Sequence, residues 1–340
     1  AAPMIGTLIG IALVAVVISL LLSPIETLGW WAGWYGHGLH DPREAPSASA
    51  EAAEEPQAPA DHYVVYLDGI AHVGRYHYRD VQGLLDGLAE RLPASRVIGD
   101  IMPYSVRDVA LLSSQRPLAR WWRRMFVQKT EREGSPLSFT INLRNLFQVL
   151  VAADPRYGRI YGQGQAQVIL AALLKAGYVP GSGAPITIIG YSGGVQVGLA
   201  ATPFIKRALG APVSMISLAG VMASEAGLDW LDLMYHLQSP SDRIPFWGQV
   251  FFPGRWPIMR ASHWNRMLRS DRLRFVNMGP MRHNGPGSYL DDSVVKHGES
   301  NLERTTGVMV GLINEVQAHH LAGGSSPGEP HTNQRRVKAV

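Results

Sequence analysis

A serine flanked by small residues stands between two apolar runs of the chain. The pentapeptide Gly190-Tyr191-Ser192-Gly193-Gly194 follows residues 186–189 (ITII) and precedes residues 195–201 (VQVGLAA). This order predicts a strand, a tight turn and a helix, in which the serine oxygen is exposed at a strained corner. The free N–H groups at the start of such a helix favour a developing negative charge. We therefore predict that Ser192 is the nucleophile of an acyl-transfer reaction.

The strand–turn–helix context of Ser192 resembles that of the α/β-hydrolase superfamily, and the resemblance covers about residues 61–320. It implies that an acid and then a histidine follow later strands, in that chain order. Asp242 lies in the loop 238–245 (QSPSDRIP) after an apolar run, and His283 lies in the loop 279–285 (GPMRHNG) after the next run. The resemblance implies that the His283 imidazole takes the serine proton while Asp242 fixes the tautomer of that imidazole.

Both partners of Ser192 have rivals in the sequence. Asp242 could instead cap a turn, because the residues Ser-Pro-Ser-Asp are typical of a turn whether or not the site is catalytic. If the apolar run before it belonged to a helix, Glu225 or Asp229 would take the role of the acid. The rival bases are His236, His263 and His297. His236 lies within a predicted strand and is interpreted as a core histidine, whereas His297 lies beyond the expected strand end.

An oxyanion hole requires two donors directed at the developing charge. The N–H of Gly193, the residue after the nucleophile, is the first candidate. The resemblance places the second donor in the loop after an early strand. Residues 68–70 (DGI) occupy that loop and depart from the usual His-Gly of the family. We predict that the N–H of Ile70 is the second donor.

The elements that would position these residues alternate along the chain. Continuous apolar runs, typical of strands covered on both faces, occur at 63–67, 97–102, 186–189, 213–218, 233–237 and 273–278. Helical stretches lie between them at 165–176, 194–209 and 301–318. This alternation predicts an α/β fold with a mainly parallel sheet flanked by helices. Residues 105–164 contain no matching strand and are predicted to form a helical insertion over the sheet edge.

The amino terminus carries a membrane signal. Residues 4–22 (MIGTLIGIALVAVVISLLL) are uncharged and long enough to span a bilayer. They are followed by aromatic residues that favour a membrane interface, namely Trp30, Trp31, Trp34 and Tyr35. We predict one transmembrane helix within residues 1–40, whereas the alternative of a cleaved signal peptide lacks a basic leading region. Flanking basic residues are too few to predict which side the domain faces.

The remaining composition sets the domain boundaries. Residues 41–60 are rich in Pro, Ala, Ser and Glu and predict a flexible linker, and residues 323–340 predict a polar tail. The hydrolase-like domain is expected to span residues 61–322. The pairs His72 with His77 and His319 with His320 lack metal-ligand spacing, so we expect neither a metal nor a cofactor.

The function predicted from these features is a membrane-anchored serine hydrolase that cleaves an ester or thioester. The expected partners are membrane lipid and a small-molecule or lipid ester. The alternative is a hydrolase-like accessory subunit that scaffolds other membrane proteins without essential catalysis. A chain without cysteine cannot use a thiolate nucleophile, and a net charge of +4 with no recognition motif does not indicate nucleic-acid binding.

Overall fold

The computed structural model describes residues 57–71, 79–104, 138–293, 295–296 and 298–323, together with positions 10, 25, 28–29 and 32. Apart from those single positions, the predicted membrane segment and linker up to residue 56 lie outside the described residues. Residues 105–137 of the predicted insertion and the tail after residue 323 lie outside them too. Across the described ranges, no helix combines the length and apolar composition that crossing a bilayer requires.

A six-stranded, fully parallel sheet forms the centre of the domain, with strands in the order β2-β1-β3-β4-β5-β6. The strands are β1 His62–Leu67, β2 Ser95–Ile98, β3 Ile186–Tyr191, β4 Val213–Leu218, β5 Met234–Gln238 and β6 Leu273–Asn277. Every residue of β1, β3 and β4 is buried, as expected for strands with helices on both faces. The predicted α/β class with a parallel sheet is confirmed.

Helices cover both faces of the sheet. They are α1 Arg79–Arg91, α2 Ser138–Ala153, α3 Gly158–Lys175, α4 Gly194–Leu209, α5 Gly227–Trp230, α6 Ile244–Phe251, α7 His263–Arg269 and α8 Asn301–Gly323. Alternate strand residues point to opposite faces. Val65 and its neighbours therefore pack against α3, α4 and α7, and Val64 and its neighbours pack against α1 and α8.

Some predicted boundaries were wrong. The strand predicted over 97–102 is β2 Ser95–Ile98, because pairing with β1 ends at Ile98. The helix predicted to begin at residue 165 is α3, which begins at Gly158. Residues 158–164 therefore belong to α3, and Tyr161 and Gly162 pack there against α2 and α4. The helix α2, from the predicted insertion, packs on α3 and α4 around Tyr104, Val149 and Tyr161.

The strand order reverses next to β1, since β2 lies on one side of this strand and β3 on the other. In open parallel sheets, such a reversal opens a crevice at the carboxyl ends of the two diverging strands. Here those ends are the loop that begins at Asp68 after β1 and the turn that begins at Ser192 after β3. The topology therefore brings the two predicted halves of an oxyanion hole to one place.

Candidate active site

Ser192 occupies the sharp turn between β3 and α4. Its φ angle of 53° is in the left-handed region, which costs free energy for a residue other than glycine. Its N–H donates to the carbonyl of Leu218 at 3.0 Å, and its carbonyl accepts from Val221 at 3.1 Å, so the end of β4 holds the turn in place. The surrounding structure thus fixes this conformation.

Two glycines allow this turn to close. A Cβ added to Gly190 would lie 2.6 Å from the Cα of Val195, and a Cβ added to Gly194 would overlap the carbonyl oxygen of Leu67 at the end of β1. Any larger residue at either position would push α4 away from the strands. The small residues around Ser192 are therefore a packing requirement of the turn.

The structure brings together the three residues predicted to act with one another. The Oγ of Ser192 lies 2.9 Å from Nε2 of His283, and Nδ1 of the same ring lies 2.8 Å from Oδ2 of Asp242. The Asp242 side chain is fully buried, and that of His283 is 12% exposed. A buried carboxylate bonded to Nδ1 favours the tautomer with a proton on that nitrogen, which leaves Nε2 as an acceptor for the serine hydroxyl.

The loops after β5 and β6 are held together by Ser239. Its hydroxyl donates to the carbonyl of Met281 at 2.7 Å and accepts the N–H of the same residue at 2.9 Å. It also accepts the N–H of Ser241 at 3.1 Å. Because Ser239 is buried, these bonds fix the loop of Asp242 against the loop of His283.

The rival acids have other partners. Glu225 accepts a hydrogen bond from the Nε2 of Gln196 on α4, and burial raises its pKa to about 8, although this bond opposes the rise. Asp229 lies 2.6 Å from both His263 and Arg266 at the surface, and these hydrogen bonds lower its pKa despite partial burial. Neither carboxylate reaches His283.

The rival histidines that the structure describes also have other partners. His236 is fully buried in β5, and its Nδ1 lies 2.8 Å from the hydroxyl of Ser217. Burial and the nearby charge of Arg255 lower the pKa of His236 to about 3, so the ring is neutral. His263 binds Asp229 at the surface, and His297 lies outside the described residues.

The loop after β1 lies over the Ser192 turn. A Cβ added to Gly193 would lie 3.0 Å from Cγ2 of Ile70, so the two candidate oxyanion donors are neighbours. The N–H of Gly69 donates to the carboxylate of Asp68 at 2.7 Å, whereas those of Ile70 and Gly193 have no acceptor in the part of the chain that the structure describes. Their role as an oxyanion hole stays a prediction.

Helix α2 secures that loop from above. The Nδ2 of Asn145 donates to the carbonyl of Ile70 at 2.8 Å, and the guanidinium of Arg144 donates to the carbonyl of Tyr104 at 2.6 Å. The hydroxyl of Tyr104 donates in turn to the carbonyl of Asp68 at 2.7 Å. Sequence reasoning missed these contacts, because an Asn or Arg within an apolar helix gives no indication of a partner distant in the chain.

Tyr191 was also missed, although it stands in the motif itself. Its hydroxyl donates to the main-chain carbonyl of His283 and lies 3.2 Å from Oδ1 of Asn284. Burial and the charge of Asp68 raise the pKa of Tyr191 above its ordinary value, so the hydroxyl keeps its proton as a donor. This residue therefore joins the Ser192 turn directly to the loop of His283.

In the ranges that the structure describes, no three His, Asp or Glu side chains cluster in a way that could hold a metal ion. A scan of the chain against protein-family models found no match, and a search of curated proteins found none either.

Proposed function

We propose that the chain is a serine hydrolase of the α/β-hydrolase type, which cleaves an ester or thioester through an acyl-Ser192 intermediate. The observation that supports this proposal is the unbroken sequence of contacts from Ser192 through His283 to Asp242. These contacts lie at the carboxyl edge of a parallel sheet, on a serine held at a positive φ angle. A serine hydroxyl is a poor nucleophile until a neighbouring base takes its proton, and this arrangement supplies that base.

The reaction proceeds in two halves. The Oγ of Ser192 attacks the carbonyl carbon while its proton moves to Nε2 of His283. The tetrahedral intermediate then collapses, the bond to the leaving alcohol or thiol breaks, and His283 returns the proton to that group. In the second half, water attacks the acyl-enzyme and gives a proton to His283. The second tetrahedral intermediate then collapses, the bond to Oγ of Ser192 breaks, His283 returns the proton to that oxygen, and the carboxylic acid is released. Asp242 holds the imidazole in register and stabilises its cation in both halves.

The negative charge on the former carbonyl oxygen requires donors that are in place before the reaction. In this proposal the N–H groups of Ile70 and Gly193 supply them, and Asn145 holds the first one through the carbonyl of Ile70. The side chains of Ile70 and Val149 both approach Gly193 closely. These apolar groups beside Gly193, the residue after the serine, suit the acyl chain of a lipophilic ester better than a charged substrate.

A serine-directed fluorophosphonate tests the proposal on the full chain. We expect covalent labelling of wild type, loss of labelling in Ser192→Ala, and full labelling in the control Ser182→Ala, which changes an exposed serine after α3. The melting temperature of Ser192→Ala should equal or exceed that of wild type, because a polar group leaves a strained site. Absence of labelling in folded wild type would overturn the proposal in favour of the accessory-subunit alternative.

The membrane attachment belongs to the same proposal and rests on residues 4–22. The full chain should stay in the membrane fraction after a carbonate wash, because an uncharged span of that length is held by the hydrocarbon and not by surface charge. Attachment would place the enzyme where lipophilic esters are concentrated. Recovery of the full chain in the soluble fraction would contradict the anchor and leave the hydrolase proposal standing.

A further inference from the structure

The helix α6 exposes apolar side chains on nearly all of its surface. Of its residues only Pro245 and Gly248 are buried, whereas Phe246 is 56%, Trp247 49% and Phe251 69% exposed. A surface helix of a globular protein normally buries its apolar stripe, and a large exposed apolar patch marks an interaction site. This helix is therefore built to contact something besides its own domain.

The exposed apolar surface continues beyond α6 into the next loop. The indole N–H of Trp256 donates to the carbonyl of Gln249 at 2.8 Å, which folds this loop back against the helix. Trp247 and Phe251 stack with ring centroids 5.6 Å apart. We name the whole surface the α6 face, and its members are Ile244, Phe246, Trp247, Val250, Phe251, Trp256, Ile258 and Met259.

The segment that carries the α6 face has basic residues and no acidic ones. Residues 243–270 contain no Asp or Glu. Arg243 and Arg260 flank the face on either side, and Arg269 joins them by donating to the carbonyl of Arg260 at 2.8 Å. All three guanidinium groups belong to exposed residues, and none has a carboxylate partner among the described residues. An apolar surface with a rim of unpaired arginines complements a surface that is apolar inside and anionic outside.

We propose that the α6 face docks onto an anionic lipid bilayer. Its aromatic rings would lie at the boundary between headgroups and acyl chains, where Trp and Phe side chains are stabilised. The arginines would meet lipid phosphates. Docking here also orients the domain, because Ile244, the first residue of α6, donates its N–H to Asp242 at 2.9 Å. If the proposed hydrolase function holds, the substrate reaches Ser192 from that bilayer.

The absence of cysteine from the chain gives a direct test. Phe251→Cys, labelled with an environment-sensitive fluorophore on the full chain, is reconstituted into vesicles of phosphatidylglycerol and phosphatidylcholine that contain a doxyl-labelled lipid. Val179→Cys is the matched control, since Val179 is 48% exposed and lies before β3, at the amino-terminal ends of the strands, whereas α6 follows the carboxyl end of β5. We expect several-fold stronger quenching at position 251 than at position 179.

Two further comparisons test whether docking depends on the charge of the lipid and on the arginines. Quenching at position 251 should fall when phosphatidylcholine replaces phosphatidylglycerol. Arg243→Gln and Arg260→Gln in the same labelled chain should each weaken docking about fivefold, whereas Arg91→Gln at the far end of α1 should not. These measurements need no turnover, so their outcome is independent of whether Ser192 is reactive.

Equal quenching at positions 251 and 179 would overturn the proposal. A fluorophore at position 251 that is shielded from water without being quenched by the doxyl lipid would also overturn it, because the α6 face would then be covered by protein. Quenching that persists unchanged in pure phosphatidylcholine would contradict the role of the arginines and therefore the anionic partner.

Discussion

The ring of Tyr191 stacks on the imidazole of His283, with centroids 5.7 Å apart and planes inclined by 22°. Tyr191 thus supports the imidazole of His283 by ring contact, and its hydroxyl holds the backbone of the same histidine. Because β3 carries Tyr191 and Ser192 as neighbours, any shift of this strand end moves the serine and the support of the imidazole together.

Tyr191→Phe tests the contribution of the hydroxyl separately from that of the ring. The ring contact should remain, and loss of one hydrogen bond worth about 1 kcal/mol should lower kcat about fivefold with KM unchanged. Tyr191→Ala should lower kcat further. Steady-state kinetics on an activated ester measure both effects. Tyr178→Phe is the control, because it removes a hydroxyl that donates to a main-chain carbonyl near the amino-terminal ends of the strands, away from Ser192. An equal loss in the control would show a general effect on stability.

Asp242→Asn should lower kcat by roughly 10⁴, because the amide cannot hold the imidazole in the reactive tautomer. Glu225→Gln and Asp229→Asn should cost far less, since the first residue binds Gln196 and the second binds His263 and Arg266. The three variants are compared on one activated ester at constant pH. A variant of Glu225 or Asp229 that is inactive beside an active Asp242→Asn would refute the assigned acid.

Asn145→Ala should loosen the loop that carries the N–H of Ile70. We expect kcat to fall about tenfold, less than the 10² to 10³ that follows removal of an oxyanion donor, because the donor itself remains. KM should change little. Leu146→Ala on the same helix is the matched control, since that side chain is 38% exposed and has no part in holding the loop. A drop confined to KM would indicate that Asn145 binds substrate instead.

Glu225 should make stability depend on pH. Its pKa is about 8 in the folded chain against an ordinary value of 4.5, so between those values the folded state holds a proton that the unfolded state releases. This contribution to the free energy of unfolding is complete below pH 4.5, declines up to about pH 8 and is constant above it. The melting temperature of Glu225→Gln relative to wild type should therefore rise between pH 5 and pH 8. A constant difference would contradict this shift.

The sequence was most informative where strands end in polar loops. Apolar runs marked the six strands of the sheet, and their order placed Ser192 after β3, Asp242 after β5 and His283 after β6. These strands belong to one parallel sheet, in which β4 lies between β3 and β5. This succeeded because strands buried on both faces are continuous apolar runs, whose ends show in a single sequence. Boundaries were less reliable, since β2 ends where pairing stops and its apolar run continues.

Contacts between distant segments could not be predicted in the same way. The bond from Asn145 to Ile70 joins residues 75 positions apart, and the bond from Tyr191 to His283 joins residues 92 positions apart. Nothing in the local pattern around either donor specifies such a partner. The exposure of α6 was hidden for a related reason, because an apolar segment such as 244–252 (IPFWGQVFF) normally predicts a core element.

The two oxygens of the Asp242 carboxylate serve different parts of the molecule. One oxygen accepts from His283 and the other accepts from the backbone at the start of α6. An insertion or deletion between residues 239 and 245 would therefore displace the acid and the apolar helix at once. Among relatives of this chain, natural variation in length should accordingly avoid residues 239–245.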